Sequence, residues 1–269
     1  MASINIVGAG RVGKTLGRLL QQHQLVTIQN VYNRSLRQAD AAVAFIGKGQ
    51  AVSSLEELQP AAITLITTPD DAIAHVSQQL ADAGLFGPGA MVVHCSGALP
   101  ADVLEPARAA GAVVGSLHPL KSIADSEQAV VSFQGTFCTI DGDTEAVALL
   151  KRWVDLLGGQ AITIASEQKL LYHAASVLAC SGLTTLFGSA AELYQRCGIN
   201  AEQAQAMLGP FLQEILANNI ALGAKQALTG PVARGDAELI AQHDKVLAST
   251  DEHLRALYLA MTESAKDLR

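Results

Sequence analysis

Residues 4–13 read Ile4-Asn5-Ile6-Val7-Gly8-Ala9-Gly10-Arg11-Val12-Gly13, and this stretch decides the fold. An apolar strand runs into G-x-G-x-x-G, and an amphipathic helix follows to about Gln22. Each glycine has its own task in such a turn. Gly8 makes the tight bend, Gly10 lets a pyrophosphate approach the backbone, and Gly13 lets the helix sit close to the strand. The motif is weak in isolation. Here it lies between a strand and a helix at the start of a βαβ unit, the context in which it signals dinucleotide binding.

Working outward, strand and helix patterns alternate. Strands are expected over 25–32, 61–67, 91–94, 112–117 and 136–140, with helices over 36–46, 70–83, 101–110 and up to 157 between and after them. Asp70 reads as the cap of its helix. This rhythm describes a Rossmann-type α/β domain, a doubly wound and mostly parallel sheet with helices on both faces. It stops near Ser166. Residues 167–196 contain no proline and read as a single long helix, and helices continue to the end apart from a loop at 230–235. The expected division is a dinucleotide-binding domain over 1–165 and an all-helical substrate or dimerisation domain over 166–269.

Composition narrows the function classes. Hydrophobic residues make up 49% and charged residues 16%, which excludes a disordered chain. A net charge of −7 with no basic run argues against a nucleic-acid surface. The four cysteines (Cys95, Cys138, Cys180 and Cys197) are scattered, so neither a zinc site nor a redox pair is signalled, and no metal is expected. Apolar runs read as too short for a bilayer, and the N-terminus carries no secretion signal, so the cytoplasm and no membrane partner are expected.

The end of the second strand refines the cofactor. Asn33-Arg34-Ser35 stands where NAD-binding proteins carry a carboxylate for the ribose. Without that charge, the Arg34 guanidinium and the Ser35 hydroxyl match a 2′-phosphate, and NADP(H) is expected. Thr67-Thr68-Pro69, His94-Cys95-Ser96-Gly97 and His118-Pro119 close three further strands at the end where α/β sheets bind ligands. Ser96 is either a turn-former or a substrate contact, and His118 either a structural histidine or a functional one. Lys169 and His173 share a helix face, continued by Ser176, Cys180 and Thr184, on a helix apolar enough to be buried. That stripe needs polar partners or a polar ligand.

The glycine turn, Asn33-Arg34-Ser35, 94–97 (HCSG), 117–119 (LHP), 169–175 (KLLYHAA) and 228–236 (LTGPVARGD) together resemble a bacterial Rossmann-like family of NADP oxidoreductase type without an assigned substrate. It lies within the superfamily of 6-phosphogluconate dehydrogenase, ketopantoate reductase and pyrroline-5-carboxylate reductase. The resemblance implies an NADP-dependent oxidoreductase that exchanges hydride with a small polar carbonyl, hydroxy or imine compound. It also implies a homodimer formed through the C-terminal helices. In hydroxyacid dehydrogenases and ketopantoate reductase a K-x-x-x-N pair serves the substrate; here the spacing is kept as Lys169-x-x-x-His173.

The expected cofactor contacts are Gly8, Ala9, Gly10, Arg11, Val12, Gly13, Asn33, Arg34, Ser35, Thr67, Thr68 and Pro69. The expected catalytic residues are Lys169 and His173 for the proton, with His118 and Ser96 positioning the substrate. Two alternatives stay open: a non-catalytic NADP(H)-binding or sensing protein, and a deazaflavin-linked reductase. The segment 230–236 reads equally as an anion contact through Arg234 or as a turn capped by Asp236.

Overall fold

The computed structural model describes residues 1–269. Eight strands form one sheet: β1 (Ala2–Val7), β2 (Val26–Tyr32), β3 (Gln50–Val52), β4 (Ile63–Ile66), β5 (Met91–His94), β6 (Val113–Pro119), β7 (Phe137–Gly142) and β8 (Gln160–Thr163). Their order is β3-β2-β1-β4-β5-β6-β7-β8. The first six are parallel, β7 runs antiparallel to β6, and β8 is parallel to β7. Chain order reverses between β1 and β4, which makes their carboxyl ends the topological switch point where α/β sheets bind ligands.

The sheet is covered on both faces by α1 (Arg11–Gln22), α2 (Leu36–Ile46), α3 (Asp70–Asp82), α4 (Glu105–Ala109), α5 (Ser126–Val131) and α6 (Thr144–Leu156). Side chains alternate along a strand, so neighbouring residues enter different cores. Ile6, Leu65 and Val93 join Leu16, Leu20, Ile46 and Trp153 from α1, α2 and α6. Val7, Ile66 and Val92 join Ile73, Leu80 and Ala107 from α3 and α4. Strands buried on both faces explain why β4 and β5 read as continuous apolar runs.

Six helices follow to the end of the chain after a 3₁₀ turn at Ser166–Gln168, beginning with α7 (Lys169–Arg196), α8 (Ala201–Leu222) and the short α9 (Ala224–Ala227) and α10 (Gly230–Arg234). α11 (Ala237–Ala248) and α12 (Glu252–Lys266) complete it. Asn200, Asp236 and Asp251 cap α8, α11 and α12 by accepting backbone N–H bonds. By compactness the chain divides into Met1–Cys180 and Ser181–Arg269, inside α7, fifteen residues beyond the expected 165/166 division. Within the second unit, Arg196 bridges Glu192 and Asp251, and Arg255 bridges Asp244 and Glu252.

Several local expectations are corrected. The segment 230–235 is a helical turn ended by Gly235 in the left-handed region, with Asp236 as the cap of α11. The expected helix over 101–110 splits into a 3₁₀ turn (Ala101–Leu104) and α4. Asp70 is the first residue of α3, not its cap; Pro69 holds the cap position without a side-chain bond. α7 is not a buried helix in the single chain, since only Lys169 of its 28 residues is buried. The segment Ser166–Arg196 is also long and apolar enough, by length and composition, to cross a membrane, contrary to the reading of the apolar runs as too short.

Candidate functional site

The glycine turn occupies the switch point. Gly8 has φ +85°, and a Cβ there would lie 2.7 Å from Thr68 Cγ2. Gly13 lies closer still to β4: a Cβ would fall 2.2 Å from Thr67 Oγ1, the hydroxyl that donates to the Gly8 carbonyl at 2.8 Å. At Gly10 a Cβ would meet only the Gly8 carbonyl oxygen, at 3.8 Å, so its outer side is open. Two glycines thus bring strand and helix together, and the middle one leaves room for a ligand.

α1 begins at Arg11 with no side-chain cap bond and no acidic residue in its first turn. Its leading N–H groups and dipole favour an anion there. A pocket of about 300 Å³ beside it is lined by Ala9, Gly10, Arg11, Lys14, Asn33 and Gln38, among others. Lys14, which carries its ammonium 5.3 Å from the Phe45 ring, brings a second positive charge that sequence reading missed. The signal for it was present, because residue 14 follows the last glycine of the turn. Asn33 is buried and reaches the Ala9 carbonyl at 3.5 Å. Arg34 and Ser35 are exposed, and Ser35 caps α2 without spending its side chain. Thr68 Oγ1 is buried without a partner, an unspent polar atom beside the turn. Open backbone, unopposed positive charge and an orphaned hydroxyl suit a phosphorylated nucleotide.

A second polar group lies at the ends of β5 and β6. Ser96 Oγ donates to Asp70 Oδ2 at 2.8 Å and accepts from Ala98 and Leu99 N–H. The hydroxyl thus bonds both the turn and α3, the turn-forming one of the two roles read from sequence. His94 is fully buried. Its Nδ1 accepts from Ser96 N–H at 3.1 Å, so Nε2 carries the proton and faces the Pro100 carbonyl at 3.1 Å. Burial foremost, then the Lys169 charge, holds it down at about 4.

Gly97 follows at once. A Cβ there would lie 2.8 Å from His118 Cε1 and 2.8 Å from His173 Cδ2, so both imidazoles rest against the bare backbone. The two rings meet edge to face at 6.0 Å. His118 Nδ1 is 3.1 Å from the Tyr172 hydroxyl. Burial, then His173 and Lys169, push His118 down to about 4, so it is uncharged near neutral pH. Lys169, Tyr172, His173 and Ser176 follow one face of α7, and Tyr172, His173 and Ser176 are half-buried. Tyr172 was not singled out from sequence. Its three-residue spacing from Lys169 was the available signal, masked by the apolar run around it.

Lys169 itself departs from expectation. It is fully buried, and its ammonium lies 2.5 Å from Ser116 Oγ. Burial pushes its pKa down. Of the residues expected to be catalytic, the structure brings His118 and His173 together at Gly97, commits Ser96 to a turn, and buries Lys169 beneath.

Comparison with known proteins agrees with this architecture. Residues 1–119 match a Rossmann-like domain, and residues 136–265 match a domain of unknown function, DUF2520. The C-terminal match begins at β7, so the reversed strand and β8 go with the helices by family and with the sheet by hydrogen bonding. No curated protein matches the chain. Among solved structures, a proposed NADP oxidoreductase from Bacteroides fragilis is 26% identical with a TM-score of 0.84, covering 99% of this chain and 98% of its own. An imine reductase from a Pseudomonas species has 19% identity and a TM-score of 0.68, covering 99% and 94%. A pyrroline carboxylate reductase from Plasmodium falciparum with NADP bound has 13% identity and a TM-score of 0.62, covering 99% and 98%.

Proposed function

We propose that this Rossmann-like protein with a DUF2520 domain is an NADP(H)-dependent oxidoreductase acting on a small polar carbonyl, hydroxy or imine compound. The observation that carries the reading is the continuity between its two polar regions. The glycine turn touches Thr68; Asp70, two residues on, accepts from Ser96; and Gly97 supports His118 and His173. A nucleotide seated on the turn would therefore lie beside a histidine pair at the ends of adjacent strands. The similarity to an NADP oxidoreductase of Bacteroides fragilis supports the same reading.

Bound NADPH would supply hydride. Gly8 to Gly13 and the start of α1 would hold its pyrophosphate, and Arg34, Ser35 and Lys14 its 2′-phosphate. Thr67, Thr68 and Pro69 would border the nicotinamide end. His173, half-exposed at Gly97, is placed to give a proton to the substrate oxygen or nitrogen. The His118–Tyr172 pair, uncharged and hydrogen-bonded, orients the substrate and restores that proton. In the oxidative direction the same groups receive it.

Titration of the protein with NADPH and NADH by calorimetry, beside Arg34→Ala, tests the cofactor. NADPH should bind at least tenfold tighter, and Arg34→Ala should remove most of the difference. Incubation of 4-deuterated NADPH with small ketones and cyclic imines tests the chemistry, with one deuterium expected in a single stereochemical position. Tight NADPH binding without transfer to any of these compounds would favour a nucleotide-binding or sensing protein. Absence of binding would leave the glycine turn serving the fold alone.

A further inference from the structure

Lys169 is the only buried residue of α7, and its ammonium has a single hydrogen bond, to Ser116 Oγ. Ser116 lies two residues before His118 on β6. Residues i and i+2 of a strand share a face, with Cα atoms about 7 Å apart. The cation therefore sits under the same face of β6 that presents His118.

Titratable and charged groups face it from each neighbouring element. From β7, Asp141 pairs with Ser116 in the register; its carboxylate accepts from Ala101 N–H at 2.8 Å and Ser166 Oγ at 2.9 Å and favours the charged ammonium. From β5 come His94 and the neutral Cys95 thiol, and from α3 comes Asp70, which holds Ser96. From α7 itself come Tyr172 and His173. Asp141 also fixes Ser166, so the 3₁₀ turn that leads into α7 is tied to β7 just ahead of Lys169.

We infer that Lys169 is a positioning residue: its buried ammonium, seated on Ser116, adds to burial in opposing a charge on the His118 ring beside Tyr172, while touching neither substrate nor solvent. A protonated His118 would place a second cation near the first and would make both of its ring nitrogens donors. The effect of Lys169 on both His94 and His118, added to that of burial, agrees with this placement.

The role separates from direct proton transfer by experiment. The imidazole Cε1–H signals of the nucleotide-free protein are titrated by NMR, assigned with His94→Gln and His118→Gln, in wild type and Lys169→Met. The His118 midpoint should rise by about one pH unit in Lys169→Met, and the His94 midpoint should rise with it. Should Lys169→Met fail to fold, Lys169→Gln removes the charge while still able to bond Ser116, and the same shift is expected. An unmoved His118 midpoint in a folded variant overturns the inference.

A second arm rests on the oxidoreductase reading. The acid limb of kcat/KM should move up in pH by the same interval in the variant, with KM for NADPH unchanged. A loss undiminished at every pH would make Lys169 the proton carrier instead. A shifted titration in a protein that turns over no substrate would overturn the oxidoreductase reading alone.

Discussion

Gly97 is the residue on which the candidate chemistry converges, because two imidazoles occupy the space its side chain would fill. Gly97→Ala should displace His118 and His173 while leaving the sheet intact. Turnover should fall by roughly ten- to a hundredfold, as misplaced catalytic groups typically cause, with NADPH affinity and circular dichroism unchanged. An active Gly97→Ala enzyme would show that the rings need not touch this backbone. His94 makes a different prediction, for stability. Its folded value of about 4 lies below the ordinary 6.5, so above pH 6.5 both folded and unfolded forms are neutral and stability is at its full value. As pH falls from 6.5 toward 4, the unfolded chain takes up the proton and the folded chain does not, and about 3 kcal/mol is lost. His118, shifted in the same direction, adds to the loss. Urea midpoints between pH 7 and 4.5 should fall, and His94→Gln should flatten that slope; an equal slope in the variant would refute the assignment.

Among the elements, the approach of α1 to β4 is set by Gly13 and Thr67. Gly13→Ala should lower stability by about 1–3 kcal/mol through overpacking. Thr67→Ala removes the atom it would strike, so the double variant should recover about 1 kcal/mol or more of the summed losses. Strict additivity in urea unfolding would exclude the contact. This pair also shows which parts of the fold were legible. The glycine turn, β1 and α1 are bound by local sterics, so sequence alone places them. β3 is too short, at three residues, to show a period, and β8, Gln-Ala-Ile-Thr, lacks the apolar run that marks β4 and β5. The direction of β7 had no local signal, because the 17 residues from Leu120 to Thr136 are enough for either a crossover or a return. Half of the candidate site was legible for the same reason. Strand ends and a helical spacing pointed to His118 and His173, whereas the Tyr172 contact with His118 spans 54 residues and the burial of Lys169 depends on Ser116 from another element.

At the scale of the whole molecule, the exposed apolar surface of α7 and α8 is out of keeping with a solvated monomer. Leu170 and Leu171 are each 70% exposed, Leu178 is 77% and Ile220 is 78%. Phe211 and Leu216 add to the surface. Large apolar side chains exposed in number along a helix mark an interface or a membrane contact. The second copy expected from sequence is our proposed occupant, since a self-complementary apolar helix face closes as a two-fold pair without further partners. Sedimentation velocity should therefore give about twice the chain mass of 28.0 kDa in the absence of detergent. Leu178→Glu, which puts a charge at the most exposed leucine of α7, should shift the boundary to the monomer and lower the thermal midpoint, while NADPH still binds the glycine turn. A monomer in the wild type would refute the dimer. A wild type that pellets with phospholipid vesicles and sediments singly without them would assign the same face to a membrane.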